Sequence, residues 1–418
     1  MMPTAAHQRP QRSLAPDLAR GLMLLLIALA NVPWFLYAAP SGLVFAHPLD
    51  AQGADRAWQL FSIVAIDGRS YPLFAFLFGY GIGQLYSRQA GAGTQQREAK
   101  RLLQRRHVWM IVFGAVHALL LWYGDIVGAY GLIGVLVVWL FLDRADRTLR
   151  IWCLVLGGLL ALAALSSLIG AISLTLAPEL QVPAAELPEP NAAQSYLVSV
   201  GMRMSMWFIA TIVQPIQMSV PLAVLLGILA ARHRLLDDPG RHRILLTRIA
   251  LIGIAVGWLG GAVSAAQFAG WTPLGQDVAW GITYGHHLTG VAGGIGYAAA
   301  FGLAAHAIQR RGTGPFARAL QAVGKRSLTN YLGQSVVFAP LLCAWGLGLG
   351  AVLSPWQAAL LALVTWLVLM GISVVLEQQG KRGPAEWLLR RLAYGRRPVA
   401  PPAPVGASAP SKPTMSPR

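Results

Sequence analysis

Acidic side chains are scarce in this chain, with 16 Asp and Glu among 418 residues, and all charged types together make up only 12%. That is about half the charged share of an ordinary soluble domain, which excludes a water-soluble globule. Cysteine is nearly absent as well. Cys153 and Cys343 sit in separate apolar stretches with no His or Cys nearby, so the sequence gives neither a disulfide framework nor a zinc site. No spacing of His, Cys or carboxylates reads as a metal centre of any kind. What the chain has in quantity is apolar residues at 56%, with 45 Gly and 14 Trp. Small residues and interfacial aromatics are what helices packed in lipid use.

A spanning helix needs about 20 mostly apolar residues. Such runs lie at 17–39, 70–87, 104–122, 124–142, 150–177, 205–232, 247–268, 282–309, 327–350 and 354–377. Residues 57–66 are apolar but too short to cross, and read as a helix lying at the surface before Asp67-Gly68-Arg69 turns the chain inward. The first run resembles a secretory signal, but Asp17, Arg20, Pro33 and Pro40 fit an uncleaved anchor better.

The formal charge of +17 suggests nucleic acid until the bases are located. Of the 33 Lys and Arg, 30 fall at the N-terminus, in alternate loops or after residue 380; only Arg56, Arg69 and Arg203 fall on the other side. Basic residues resist translocation. The expectation is therefore an all-α polytopic integral membrane protein, a bundle of about ten transmembrane helices with both termini cytoplasmic. Its positive charge faces anionic lipid headgroups rather than nucleic acid. The chain divides into a cytoplasmic N-terminus (1–16), a membrane region with spans 1–8 (17–320), a C-terminal membrane region (321–397) and a disordered Pro/Ala/Ser-rich tail (398–418).

Polar groups at membrane depth mark sites or pathways by default. His117, near the outer end of the third span, and Asp125, opening the fourth, are placed to meet as a base and its orienting carboxylate. The plainer alternative is a histidine bonded to backbone and an aspartate capping a helix. Asp67 and Arg69 lie in a hydrophilic notch, and His286 and His287 near the outer end of the eighth span; together they would form an outer pocket, or else an interfacial salt bridge beside solvated histidines. Gln214 and Gln217 accompany Pro215 and Pro221 in a broken sixth span, as in helices that line cavities or simply kink. The glycines at 79–83, 253–257 and 293–294 read as close helix contacts.

Ser327-Leu328-Thr329-Asn330-Tyr331-Leu332-Gly333-Gln334-Ser335, then Gly383-Pro384-Ala385-Glu386-Trp387 through Tyr394-Gly395, resembles the C-terminal signature of the YeiB-type bacterial inner-membrane proteins, domain of unknown function 418. Gly114, His117, Gly124-Asp125-Ile126-Val127 and Tyr130 match that family's middle region. The resemblance runs from about residue 12 to 397 and implies the inner membrane of a bacterium.

The N-terminal part, Asp17-Leu18-Ala19-Arg20-Gly21 with Asn31 and then Tyr71-Pro72-Leu73-Phe74 through Gly79, is similar to the opening spans of transmembrane acyltransferases, including the heparan glucosaminide N-acetyltransferases. That similarity implies transfer of an acyl group from cytoplasmic acyl-CoA to an acceptor across the membrane. The wider group places a reactive His in the first outer loop. Here that loop offers only His47, in a Phe45-Ala46-His47-Pro48 setting, and the role passes to His117 or to His286 and His287.

In the enzyme reading, Asp125 orients His117 toward a small-molecule hydroxyl or amine, and Arg69 holds an anionic acceptor. A histidine as covalent acyl carrier is also chemically open. Arg101, Arg105 and Arg106 bind the phosphates of CoA, while Arg20 and Asn330 guide it inward. A proton-coupled transporter uses His117 and Asp125 as a switch and Gln214 and Gln217 as substrate contacts. A non-catalytic membrane subunit leaves Asn330 and Gln334 as helix glue.

Overall fold

The computed structural model describes residues 14–42, 44–181 and 189–395. Arg9, Arg12, Glu186 and the expected disordered tail lie outside the described residues. The protein is all-α. Its helices are α1 (Leu14–Asn31), α2 (Gly53–Ala65), α3 (Ser70–Gly91), α4 (Gln96–Leu120), α5 (Val127–Leu140), α6 (Asp146–Leu176) and α7 (Tyr196–Val213). They continue with α8 (Ser219–Arg232), α9 (Arg243–Phe268), α10 (Thr283–Arg311), α11 (Pro315–Lys325), α12 (Ser327–Leu342), α13 (Pro355–Gln378) and α14 (Pro384–Tyr394).

Among the described residues, seven helical stretches are long and apolar enough to cross a membrane, and α5 and α8 are shorter apolar helices. The polar first turns of α4, Gln96 to Arg106, keep that helix from matching the others in apolarity although it is 25 residues long. On α6 only Leu149, Leu160, Ser167 and Ala171 are buried, while Leu154, Leu162, Leu165 and Leu176 are exposed. Such a surface is stable only where the solvent is itself apolar. The chain is a polytopic membrane protein.

The turns rich in bases converge at one end of the bundle. Gln84 donates to Asp237 (2.6 Å), Gln96 to Asp143 (2.7 Å), Arg232 to Asp146 (2.6 Å) and Arg326 to Glu377 (2.7 Å). Contacts at the other end join segments poor in bases: Asn191 donates to the Trp34 carbonyl (2.8 Å), Tyr196 to that of Leu120 (2.9 Å), and the Trp356 N–H to Asp55 (2.8 Å).

Two findings depart from the span pattern. The sixth run is not one helix: α7 begins earlier, at Tyr196, and stops at Val213, and α8 resumes at Ser219 after Met218 adopts φ 54°. Pro215 lacks an N–H for the ladder, so α7 ends just before it, while Pro221 falls in the first turn of α8, where no intrahelical donor is needed. The segment 57–66 is the body of α2, which packs against α9 and α13, with buried Ile63 set beside Ala265 and Phe268 of α9.

Helix pairs approach closely where glycine permits. A Cβ on Gly253 or Gly257 of α9 would strike the backbone of α10 at Gly296 or Gly293. One on Gly79 of α3 would strike the Val224 carbonyl of α8. The core formed around α1, α3, α5 and α8 contains fully buried Leu24, Leu73, Leu77, Tyr80, Val224 and Ile228.

Candidate functional site

Three groups of polar residues lie within this bundle, and two of them line cavities. Toward the base-poor end, a cavity of about 160 Å³ is lined by His47, Asp67, Tyr71, Gln217, His286 and His287 among others. The loop after α1 folds back on itself, with the Gly42 N–H bonded to the His47 carbonyl (3.1 Å) and the Leu49 N–H to that of Pro40 (3.1 Å). Gln59 of α2 holds the Pro48 carbonyl (2.8 Å). These bonds lower His47 onto Asp67, Nε2 to Oδ2 at 2.8 Å. Because an ionised carboxylate only accepts, Nε2 carries the proton and Nδ1 keeps its lone pair. Nδ1 is buried and has no partner among the described residues.

Arg69 shapes this cavity from behind. It is fully buried and donates to the carbonyls of Ile63 (3.1 Å), Asp67 and Gly257, and to His286 Nε2 (2.9 Å). His286 Nε2 also stands 3.0 Å from the Asp67 carbonyl, and Nδ1 lies 3.3 Å from Arg69 and 2.9 Å from Ser264 Oγ, so both ring nitrogens have partners. The turn needs Gly68, whose φ of 70° is costly for residues with a Cβ and whose added Cβ would overlap the His286 ring.

The second group is His117 and Asp125. The αC-terminal turn of α4 presents His117 Nδ1 to Asp125 Oδ1 at 2.8 Å. Asp125 Oδ2 also accepts the Gly128 N–H (2.7 Å), capping the start of α5, and the Trp207 indole N–H (3.3 Å). In this one arrangement the carboxylate both meets the imidazole and caps the helix. The pair is buried and lines neither cavity; the ring of Tyr331 stands edge-on to His117 at 5.6 Å.

At the basic end, a cavity of about 270 Å³ runs inward from Arg88, Arg106 and Lys325 to an apolar neck of Met23, Phe74 and Tyr331. An adjoining cavity of about 490 Å³ shares Arg88, Arg106 and Lys325 with it and adds Arg382 and Arg390. Helix α14 forms one wall. Glu386 pins it to the start of α12 by accepting the N–H groups of Leu328 (2.7 Å) and Thr329 (3.1 Å), where the helix dipole favours an anion. The other acid, Glu377, is taken by Lys325 (2.5 Å) and Arg326 (2.7 Å). Arg106 makes no ion pair within bonding distance among the described residues, and only the more distant Glu386 carboxylate attracts it, which leaves its N–H groups open to an anionic ligand.

The remaining residues singled out in the sequence are placed as follows. Arg20 lines the basic-end cavity with Arg106, and is bonded to Asp17 (3.2 Å). Arg101 and Arg105 are exposed outside it. Asn330 donates to the Arg326 carbonyl (2.8 Å) and to Ser373 Oγ (2.9 Å), and Gln334 to the Leu24 carbonyl (2.9 Å). Gln217 reaches the outer cavity; Gln214, in the same break, does not. Sequence reading did not single out Arg88, Lys325, Tyr331, Trp207 or Glu386 for a site. Glu386 and Tyr331 stood inside the quoted motifs, but no spacing rule gives their roles.

The two cavities approach each other along one helix face. Tyr71 lines the outer one and Phe74 the basic-end one, three residues apart on α3 and so about 4.5 Å along its axis. Tyr71 donates to Asn31 (2.9 Å), Tyr130 donates to the Tyr71 carbonyl (3.1 Å), and the Phe74 ring stands on Tyr130 at 4.7 Å.

The fold and these sites define a helical, polytopic membrane protein with a basic vestibule on one side and a histidine pocket on the other. The model of the family described as "Protein of unknown function (DUF418)" matches residues 230–396. The chain is similar to the uncharacterized protein YeiB of Escherichia coli, 25% identical over 414 residues, 91% of this chain and 96% of that protein. It is also similar to the uncharacterized protein YxaH of Bacillus subtilis, 26% identical over 342 residues, 77% of this chain and 78% of that protein. The YeiB-type resemblance drawn from the motifs therefore extends along most of the chain.

Proposed function

We propose that the protein sits in a bacterial inner membrane with its basic end in the cytoplasm, and transfers an acyl group from cytoplasmic acyl-CoA to a hydroxyl or amine in the outer pocket. The observation that carries this reading is the thin partition: donor-side and acceptor-side cavities are separated along α3 by one turn, between Phe74 and Tyr71. The unpaired Arg106, with Arg88 and Lys325, suits phosphates. The apolar neck suits the pantetheine arm and acyl group.

His47 fits the base better than His117, because it lines the acceptor cavity and already leans on a carboxylate. In the step, the acceptor O–H or N–H gives its proton to His47 Nδ1 while its heavy atom attacks the thioester carbonyl. The C–S bond then breaks, and the CoA thiolate leaves toward the basic end and takes up a proton. Asp67 stabilises the imidazolium that forms. His286 and His287 border the acceptor, and the His286 ring is held in place by Arg69, Ser264 and the Asp67 carbonyl. His117 and Asp125 support the wall behind Tyr331.

Membrane vesicles of known orientation, supplied with acetyl-labelled acetyl-CoA, test this. Label should reach the acceptor side only when CoA has access to the basic end. His47→Ala should lower transfer by about 10²–10⁴-fold, the usual worth of a general base. Failure of CoA to bind the purified protein overturns the reading. A carrier reading draws on the α7 to α8 break, with Gln217 at the outer pocket. Proton-coupled uptake lost in Asp125→Asn, without CoA binding, would favour it.

A further inference from the structure

We propose that the groove between α5, α6 and α8 is a site for one acyl chain of an anionic phospholipid of the basic-side leaflet, with the headgroup phosphate on Arg144. The groove has a volume of about 510 Å³ and apolar walls that include Ile133, Leu136, Trp152, Leu156 and Pro215. It owes its shape to the interruption between α7 and α8. The helix ends at Val213, Met218 turns with φ 54°, and Pro221 lies in the first turn of α8. The chain thus leaves a concavity at the height where a continuous helix would present side chains.

Its depth fits a lipid tail. From Thr148 to Leu156 on α6 is about 12 Å of helix, and the groove continues past the end of α5 to Arg144. The hydrocarbon half of a bilayer is roughly 15 Å deep. Polarity is confined to one end, where Arg144 and Thr148 stand among an otherwise apolar lining.

Charge complementarity selects the headgroup. The two acids nearest in sequence are already occupied, Asp143 by Lys100, Gln96 (2.7 Å) and Tyr86 (2.8 Å), and Asp146 by Arg232 (2.6 Å) and His233 (3.1 Å). Arg144 spends only its Nε–H, on the Leu140 carbonyl at 3.3 Å, and its terminal nitrogens meet no acid among the described residues. A guanidinium at the rim of an apolar groove, on the face rich in bases, suits a phosphate that carries net negative charge. The groove shares no residue with the two cavities along α3, so the site is independent of the acyl-transfer reading.

Native mass spectrometry of the detergent-solubilised full chain, in an equimolar mixture of phosphatidylglycerol and phosphatidylcholine, tests the proposal. The protein should retain one phosphatidylglycerol with about fivefold preference, the worth of one basic residue near an anionic surface. Arg144→Ala should abolish the preference, and Arg101→Ala, exposed elsewhere on the same face, should leave it intact. Leu136→Trp, which fills the groove, should remove the retained lipid whatever its headgroup; Leu140→Trp fills it from an exposed position and serves if the first variant does not fold. Persistence of the preference in Arg144→Ala, or of the retained lipid in a filled groove, overturns the proposal. So does a filled groove that changes oligomeric state while lipid retention stays the same, since the groove would then hold a second copy of the chain.

Discussion

At the residue scale, the same side-chain chemistry takes on different work according to what surrounds it. His47 and His117 each touch a carboxylate at 2.8 Å, yet only His47 borders a cavity. Asp125 serves three donors at once, from His117, Gly128 and Trp207. Its replacement by Ala leaves all three unsatisfied, and stability should fall by about 3 kcal/mol or more, read as a lowered unfolding midpoint in detergent. His117→Ala should also lower the midpoint, but transfer by the protein that remains folded should stay within a few-fold of wild type. A collapse of turnover with unchanged stability would move the chemistry to His117. Arg106→Ala should weaken CoA binding by about tenfold or more, measured by titration calorimetry, because an ionised hydrogen bond contributes about 1.5–3 kcal/mol.

At the scale of elements, α14 is the clearest case of a helix fixed by one side chain. Its own sequence provides Pro384 at the first helical position and an apolar stripe through Leu389 and Ala393. Its place against α12, however, rests on Glu386 bridging two backbone N–H groups and Thr329. Glu386→Ala should free α14, seen as faster proteolysis after α13, with α1 to α13 still protected. The α9 and α10 pair depends on close backbone approach. Gly257→Leu should force the helices apart and displace Arg69, whose guanidinium bonds the Gly257 carbonyl. The expected result is loss of folded protein rather than a change in activity alone.

At the scale of the molecule, charge orders the structure. The basic turns meet at one end, where Asp143 ties α3, α4 and the turn before α6 together through Tyr86, Gln96 and Lys100. Burial pushes the Asp143 carboxyl up, but the bonds from Lys100, Gln96 and Tyr86 outweigh it and hold it below the ordinary carboxylate range. The folded state therefore binds this proton less readily than the unfolded chain. Its contribution is complete above the ordinary carboxylate value, about pH 4, and is lost as pH falls through the depressed folded value. The change in unfolding midpoint between pH 7 and 5 should owe nothing to this group, and Asp143→Asn should flatten the decline below about pH 4. Cysteines placed at Arg101 and at Gln194, both exposed, should react with impermeant reagents from opposite sides of the membrane.

Membrane residence and helical class were legible in the sequence because each depends on composition summed over long segments. Apolar length sets a span, and the bias in Lys and Arg sets orientation, with no tertiary contact needed. The meeting of His117 with Asp125 was legible too, since a short turn joins their helices. The outer pocket was legible only in part: Asp67, His286 and His287 were singled out, but the pairing of His47 with Asp67 needed a folded loop held by Gln59 and backbone bonds. The thin partition at Tyr71 and Phe74, the unpaired state of Arg106 and the groove at Arg144 came from packing alone. They are properties of space between helices, and periodicity along one helix says which face is apolar without saying what stands opposite. Composition could place this chain in lipid; only the juxtaposition of distant segments decides which of its polar groups are satisfied and which remain open to a ligand.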